Sequence, residues 1–196
     1  MNIRFDQKVA LITGATSGIG RATALLLADS GARIMLTGRN QEALSELKTT
    51  INKNHTHGCD TYAGNITDTE FRRNLINATL DKFDRLDVLV NAAGIIATGT
   101  IESTRLEDFD LMMDINVRSV FHLTQLAVPH LIKTQGNIVN VSSVTGLRAF
   151  PGLLSYCVSK AGVDQFTRAA ALELAPKNVR VNAVNPGVVV SNLHRR

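Results

Sequence analysis

The chain has 196 residues, 44% of them hydrophobic, enough for one domain with a substantial core. Lysine plus arginine outnumber aspartate plus glutamate by 21 to 17, a net charge of +4 scattered along the chain; with no basic run and no aromatic platform, nucleic acid is not an expected partner. Cys59 and Cys157 have neither metal-ligand spacing nor a disulfide framework, no stretch has the apolar length of a membrane span, and residues 1–6 carry no apolar signal core, so the expected location is cytoplasmic.

Apolar strands alternate with amphipathic helices without repeats, low-complexity tracts or a linker, so residues 1–196 are expected to form one domain. The first strand is predicted at 8–13, Lys8-Val9-Ala10-Leu11-Ile12-Thr13, and the first helix at 19–30. Between them runs Gly14-Ala15-Thr16-Ser17-Gly18-Ile19-Gly20. A strand, a glycine loop and a helix make a phosphate-binding arrangement, because glycines allow close backbone approach and the free N–H groups of a helix start face an anion. The spacing Gly-x3-Gly-x-Gly differs from the commoner Gly-x-Gly-x2-Gly dinucleotide pattern, and taken alone it also suits an ordinary turn. Further strands are predicted at 33–37, 59–63, 87–90, 137–142 and 179–184, with helices at 41–53, 68–83, 106–133 and 153–175. Such alternation implies an α/β fold with a doubly wound, Rossmann-like parallel sheet and a crevice at the strands' carboxyl ends. Gly14, Asn91, Ser143 and Pro186 all lie just beyond strand ends, so residues distant in sequence converge on one cleft.

The helix predicted from 153 opens with Ser155-Tyr156-Cys157-Val158-Ser159-Lys160. Tyr156 and Lys160 are four positions apart and share a helix face, where a cation beside a phenol favours the phenolate. A tyrosine titrates near pH ~10, and an opposite charge lowers that by about 1–3 pH units, which would make Tyr156 a proton donor and acceptor. A lone Tyr-x3-Lys is more often an ordinary amphipathic surface; the glycine loop is what changes the reading.

Thr13-Gly14-x3-Gly18-x-Gly20 together with Tyr156-x3-Lys160 resembles the short-chain dehydrogenase/reductase family, over essentially the whole chain. Asn91-Ala92-Ala93-Gly94 is similar to that family's Asn-Asn-Ala-Gly motif, which steadies the central sheet, with Ala92 in place of the second Asn. Ser143 stands thirteen positions before Tyr156, the family's interval, and is chosen over Ser142; Asn116 falls in a helix and Pro186-Gly187 after a strand, as in the family. The resemblance implies hydride transfer between a nicotinamide cofactor and a ketone or secondary alcohol, a CH–OH oxidoreductase of the oxoacyl or carbonyl reductase type. Its implied catalytic residues are Asn116, Ser143, Tyr156 and Lys160. Tyr156 would pass the proton. Lys160 would lower the phenol's pKa and hold the nicotinamide ribose, Ser143 would bond the substrate oxygen, and Asn116 would bend its helix and hold a water linking Lys160 to solvent. The implied cofactor residues are Gly14, Ser17, Gly18, Ile19, Gly20, Arg39, Asn65, Ile66, Asn91, Ala92, Ala93, Gly94, Tyr156, Lys160, Pro186, Gly187 and Val189; no metal is expected.

The second strand ends Leu36-Thr37-Gly38-Arg39 with no acidic residue to bond a ribose 2′-hydroxyl, and Arg39 suits a phosphate, so NADP(H) is expected over NAD(H). Asn65 stands where the family has an Asp that contacts adenine. His122 and His130 have no ligand partners in sequence and are expected to pack or face solvent. Members of the family ordinarily continue past the Pro-Gly turn into a helical substrate lid and a last strand, so a chain stopping at Arg196 is expected to lack both. Two alternatives stay open: a catalytically silent NADP-binding or subunit-interaction protein, and a sugar-nucleotide epimerase or dehydratase. The long apolar segments 106–133 and 153–175 imply a homo-oligomer, a dimer or tetramer, as in the family.

Overall fold

The computed structural model of the chain describes residues 4–189; residues 1–3 and 190–196, the latter carrying most of the expected early ending, lie outside the described residues. In chain order the elements are β1 (Val9–Ile12), α1 (Gly18–Asp29), β2 (Arg33–Gly38), α2 (Gln41–Asn54), β3 (Cys59–Ala63), α3 (Thr69–Phe83), β4 (Val88–Asn91), α4 (Leu106–Met113), α5 (Ser119–Thr134), β5 (Asn137–Val141), α6 (Leu154–Leu174) and β6 (Arg180–Val184). The strands form one parallel sheet in the order β3-β2-β1-β4-β5-β6. The expected doubly wound sheet is therefore present. Because β1 pairs β2 on one side and β4 on the other, the chain departs in opposite directions there, and a crevice opens at the strands' carboxyl ends.

The alternation of side chains along β1 sorts the core. Val9 and Leu11 face the helices α3, α5 and α6, while Ala10 and Ile12 face α1 and α2, and all four are buried. Each fully buried Leu, Ile or Val contributes about 1.5–3 kcal/mol, so a register slip of one residue, which would exchange the two faces, is strongly disfavoured. On α1 the buried face is Gly20, Ala24 and Ala28, small residues that bring the helix close to the sheet. A Cβ at position 20 would strike the carbonyl oxygen of Gly14, so only glycine lets the loop fold back on its helix.

The one long helix expected at 106–133 is three pieces: α4, a π-helical turn at Asp114–Arg118, and α5. The cause lies in Asn116, 1% exposed at the centre of that turn, whose amide bonds the backbone of Ile95 instead of leaving the helix regular.

Candidate active site

At the β1 end of the crevice the site is built from backbone. Gly14 and Gly18 have φ of +64° and +52°, the left-handed region that glycine adopts without strain, and a Cβ on Gly14 would come within 2.8 Å of the Ala92 carbonyl oxygen and the Ala93 nitrogen. Thr13 Oγ1 accepts from the N–H groups of Ala92 (2.9 Å) and Ala93 (3.0 Å), which stitches the loop after β4 to the loop after β1. The Ser17 side chain makes no cap for α1, so the helix's first N–H groups stay available to an anion.

The cleft has a volume of about 560 Å³. Gly14, Ser17, Gly18, Ile19, Gly20, Arg39, Asn65, Ile66, Ala92, Ala93, Gly94, Ser143, Tyr156, Lys160, Pro186, Gly187 and Val189 all line it. Asn91 and Asn116 do not; both are buried beneath it. No carboxylate lines the cleft among the described residues. At the end of β2, Thr37 is buried with its hydroxyl donating to the Tyr62 carbonyl (2.7 Å), and the exposed Arg39 supplies the cation of that region. Asn65 Oδ1 accepts from the Thr67 N–H (3.1 Å), which commits one of its two lone pairs to the loop itself.

Sequence reasoning overlooked what fixes that loop. Arg72 is 2% exposed and donates to the Ile66 carbonyl (2.6 Å), Thr69 Oγ1 (3.0 Å) and His122 Nδ1 (2.8 Å), tying the loop and α3 to α5. Nδ1 is thus an acceptor and the His122 ring is neutral; its pKa is lowered by burial first and then by the Arg72 charge. His122, expected to pack or face solvent, is half-buried against Arg72. No sequence spacing signals a pairing fifty residues apart.

At the other end the site is built from buried side chains. Tyr156, Lys160 and Ser143 are 7%, 5% and 7% exposed. The Lys160 ammonium lies 5.6 Å from the centre of the Tyr156 ring and donates to the Val141 carbonyl (2.8 Å). Burial lowers its pKa to about 8, opposed by the Asp164 carboxylate. The expected effect on the phenol is corrected: Tyr156 lies above its ordinary value, raised by burial and pulled back only by the Ser143 hydroxyl beside it. The lysine is not among the causes, because with a pKa of about 8 it has already lost its charge where a phenol above its ordinary value titrates. Ser143 Oγ accepts from the Thr145 N–H (3.2 Å), which leaves its proton for a substrate oxygen, whereas Ser142 Oγ turns away to the Lys160 carbonyl (3.2 Å).

Asn116 Oδ1 accepts from the Ile95 N–H (2.9 Å), and its Nδ2 has the Ile95 carbonyl (2.9 Å), Ser159 Oγ (3.0 Å) and Met112 Sδ (3.1 Å) in range. Gly94 separates it from Lys160: a Cβ there would lie 3.2 Å from Asn116 Oδ1 and 3.7 Å from Lys160 Nζ. Asn91 instead braces the sheet, its Nδ2 donating to Asn140 Oδ1 (2.9 Å), whose own amide donates to Thr167 Oγ1 (2.9 Å) on α6. Its side chain supports the cleft from below, the sheet-steadying role of its motif.

A six-stranded parallel sheet with a glycine loop at its reversal point and a Ser-Tyr-Lys cluster opposite defines a nucleotide-dependent oxidoreductase architecture. The chain belongs to the short chain dehydrogenase family, whose model matches residues 8–196. It is 42% identical over 188 residues to the 3-oxoacyl-(acyl-carrier-protein) reductase FabG of Thermotoga maritima, spanning 95% of this chain and 76% of that one. Cyclopentanol dehydrogenase of Comamonas testosteroni is 39% identical over 193 residues, 96% of this chain and 75% of the other. A short-chain dehydrogenase/reductase of Caenorhabditis elegans, solved with cofactor, superposes with a TM-score of 0.92 at 37% identity, covering 98% of this chain and 73% of that one.

The residues present fit a nicotinamide dinucleotide. Gly14, Gly18 and Gly20 line the cleft without side chains, the first amides of α1 are uncapped, and among the described residues no carboxylate there repels a phosphate.

Proposed function

We propose that this chain is an NADP(H)-dependent oxidoreductase acting on a ketone or the corresponding secondary alcohol. The observation that carries the reading is the convergence of Ser143, Tyr156 and Lys160 in the same cleft as the glycine loop of residues 14–20. When bound, the nicotinamide supplies or accepts the hydride. Gly14, Ser17, Gly18, Ile19 and Gly20 would hold the phosphates, Asn65 and Ile66 the adenine side, and Lys160 with Pro186, Gly187 and Val189 the nicotinamide side. In the reducing direction the Ser143 hydroxyl donates to the substrate oxygen and stabilises its developing charge, while the Tyr156 hydroxyl delivers the proton. In the oxidising direction Tyr156 receives that proton. The Lys160 ammonium stabilises the phenolate that remains, and Asn116 holds the far side of Gly94, where a water could carry the proton outward. Ile95, Ile96, Val144, Phe150 and Leu153 line the same cleft, so the substrate favoured is an uncharged carbonyl compound.

Arg39 at the end of β2, with no acid among the described residues of the cleft, supports NADP(H) over NAD(H). Exposed Leu111, Phe121, Val158 and Leu172 on α4, α5 and α6 support a homodimer or homotetramer joined through those helices, and a cytoplasmic location belongs to the same reading. No helix among the described residues is long and apolar enough to cross a membrane. Consumption of NADPH and NADH, screened in parallel over ketones, diketones and oxoacyl thioesters, tests the reading. Turnover with NADPH on an uncharged ketone is expected; tight cofactor binding with no turnover on any of them would favour a catalytically silent NADP-binding protein instead. Light scattering at micromolar concentration tests assembly, and a clean monomer would remove that part alone.

A further inference from the structure

Behind the reacting centre lies a buried carboxylate that the chemistry above does not use. Asp164 stands on α6 one helical turn beyond Lys160 and is 4% exposed. Both of its oxygens lie 3.0 Å from Asn185 Nδ2, and the same amide nitrogen lies 3.0 Å from the Ser143 carbonyl oxygen. No lysine, arginine or histidine nitrogen comes within 4 Å of Asp164 among the described ion pairs. A buried carboxylate without a paired cation is costly, so its retention one turn from a buried ammonium is informative.

We propose that Asp164 and Asn185 are positioning residues for this centre: Asp164 is the counter-charge for the Lys160 ammonium, and Asn185 ties that carboxylate to the backbone of Ser143. The proposal rests on the reading of Ser143, Tyr156 and Lys160 given above. Three segments meet at this pair: α6 through Asp164, the loop after β6 through Asn185, and the loop after β5 through Ser143. Gly146 closes the arrangement, since a Cβ there would collide with Asp164 Oδ2 and stand 2.9 Å from the Lys160 carbonyl oxygen. The Val144 N–H also donates to the Pro186 carbonyl (3.0 Å), which joins the serine loop to the Pro186-Gly187 turn.

The charge argument can be separated from the hydrogen bond. Tyr156 and Asp164 are the titratable neighbours of Lys160 on its own helix, with Cys157 beside the tyrosine; β5 and the 142–146 loop bring carbonyl and hydroxyl groups, and the 114–118 turn brings the amide of Asn116. Arg168 lies one further turn along α6, exposed, in the shallow groove beside Asp164. Asp164 opposes the effect of burial on Lys160. An Asn at 164 still accepts from Asn185 but carries no charge, so the Lys160 ammonium should give up its proton at lower pH.

The test is NMR titration of the lysine 13Cε signal in the cofactor-free protein, with Lys160 assigned by its loss in Lys160→Met. A midpoint near 8 is expected for the parent chain, falling by about one pH unit in Asp164→Asn, in line with the effect of a single nearby charge. Asn185→Ala keeps the charge but frees the Ser143 carbonyl, so about tenfold is expected to be lost from kcat at unchanged cofactor affinity. A folded Asp164→Asn with an unmoved midpoint overturns the charge role, and a folded Asn185→Ala with parental kcat overturns the bracing role. Should Asp164→Asn fail to fold, Asp164→Ser is titrated in its place, and an unmoved midpoint there overturns the charge role. If Tyr156→Phe also retains turnover, the underlying functional reading has failed; if it is inactive, only the positioning pair has.

Discussion

The two ends of the cleft solve the same problem with different materials. The β1 end grips through backbone: glycines at positive φ, uncapped amides of α1 and loops joined by Thr13. Its one cation among the described residues, Arg39, is exposed. The α6 end works through side chains that are almost wholly buried, with Lys160, Tyr156, Ser143, Asn116 and Ser159 between 0% and 7% exposed. A phosphate is recognised by direction and charge, which backbone provides cheaply. Proton transfer needs groups whose protonation is perturbed, and burial is what perturbs them. Changes at the α6 end should therefore alter rate and titration, while changes at the β1 end should alter which ligand binds and how tightly.

The sharpest break of that contrast is Tyr156→Phe. Loss of the hydroxyl should lower kcat by about 10²–10⁴-fold, the usual worth of a general acid or base, with the cofactor dissociation constant within about twofold of the parent. Steady-state turnover alongside fluorescence titration of NADPH measures both, and near-parental turnover would remove Tyr156 from the chemistry.

A smaller effect is expected on stability, and it depends on pH. Lys160 keeps its proton down from about 8 in the folded chain against 10.5 when exposed. Below pH 8 both states are charged and the fold bears the whole cost of the buried ammonium. Between 8 and 10.5 the folded chain has released a proton that the unfolded chain still binds, so stability rises with pH across that window. Lys160→Met removes that pH dependence, about 3 kcal/mol at 1.36 per pH unit, while losing the bond to Val141 and leaving Asp164 without its counter-charge. The variant should therefore be inactive and should lack the parent's gain of stability between pH 8 and 10.5. Urea denaturation at pH 7, 9 and 10.5 checks it, and a parent whose stability relative to the variant does not grow with pH would contradict the burial argument.

The smallest effect belongs to the exposed end. Arg39→Asp should change the NADPH to NADH affinity ratio by about tenfold in favour of NADH, through loss of a solvent-screened contact and added repulsion, while kcat with saturating cofactor stays within about twofold. Dissociation constants for both cofactors decide it, and an unchanged ratio would take Arg39 out of the cofactor site.

Much of this was legible in one dimension, and the reason is local. Gly-x3-Gly-x-Gly after an apolar strand specifies a turn that only glycine permits, and Tyr156 and Lys160 share a face because a helix repeats every few residues. Strand and helix positions followed from the same periodicities, and the parallel sheet from their alternation. What needed the tertiary structure is whatever joins distant segments through buried polar atoms. The Asn116 amide breaks an apparently continuous helix by bonding Ile95, Arg72 joins the loop after β3 to α5 through Ile66 and His122, and Asp164 reaches Ser143 through Asn185. The direction of the Tyr156 titration belongs here too: sequence places a cation beside the phenol, but the depth at which both are buried raises the phenol and lowers the ammonium. Pattern records the geometry of the nearest turn or strand; the balance between charge and burial exists only once the chain has closed around the groups.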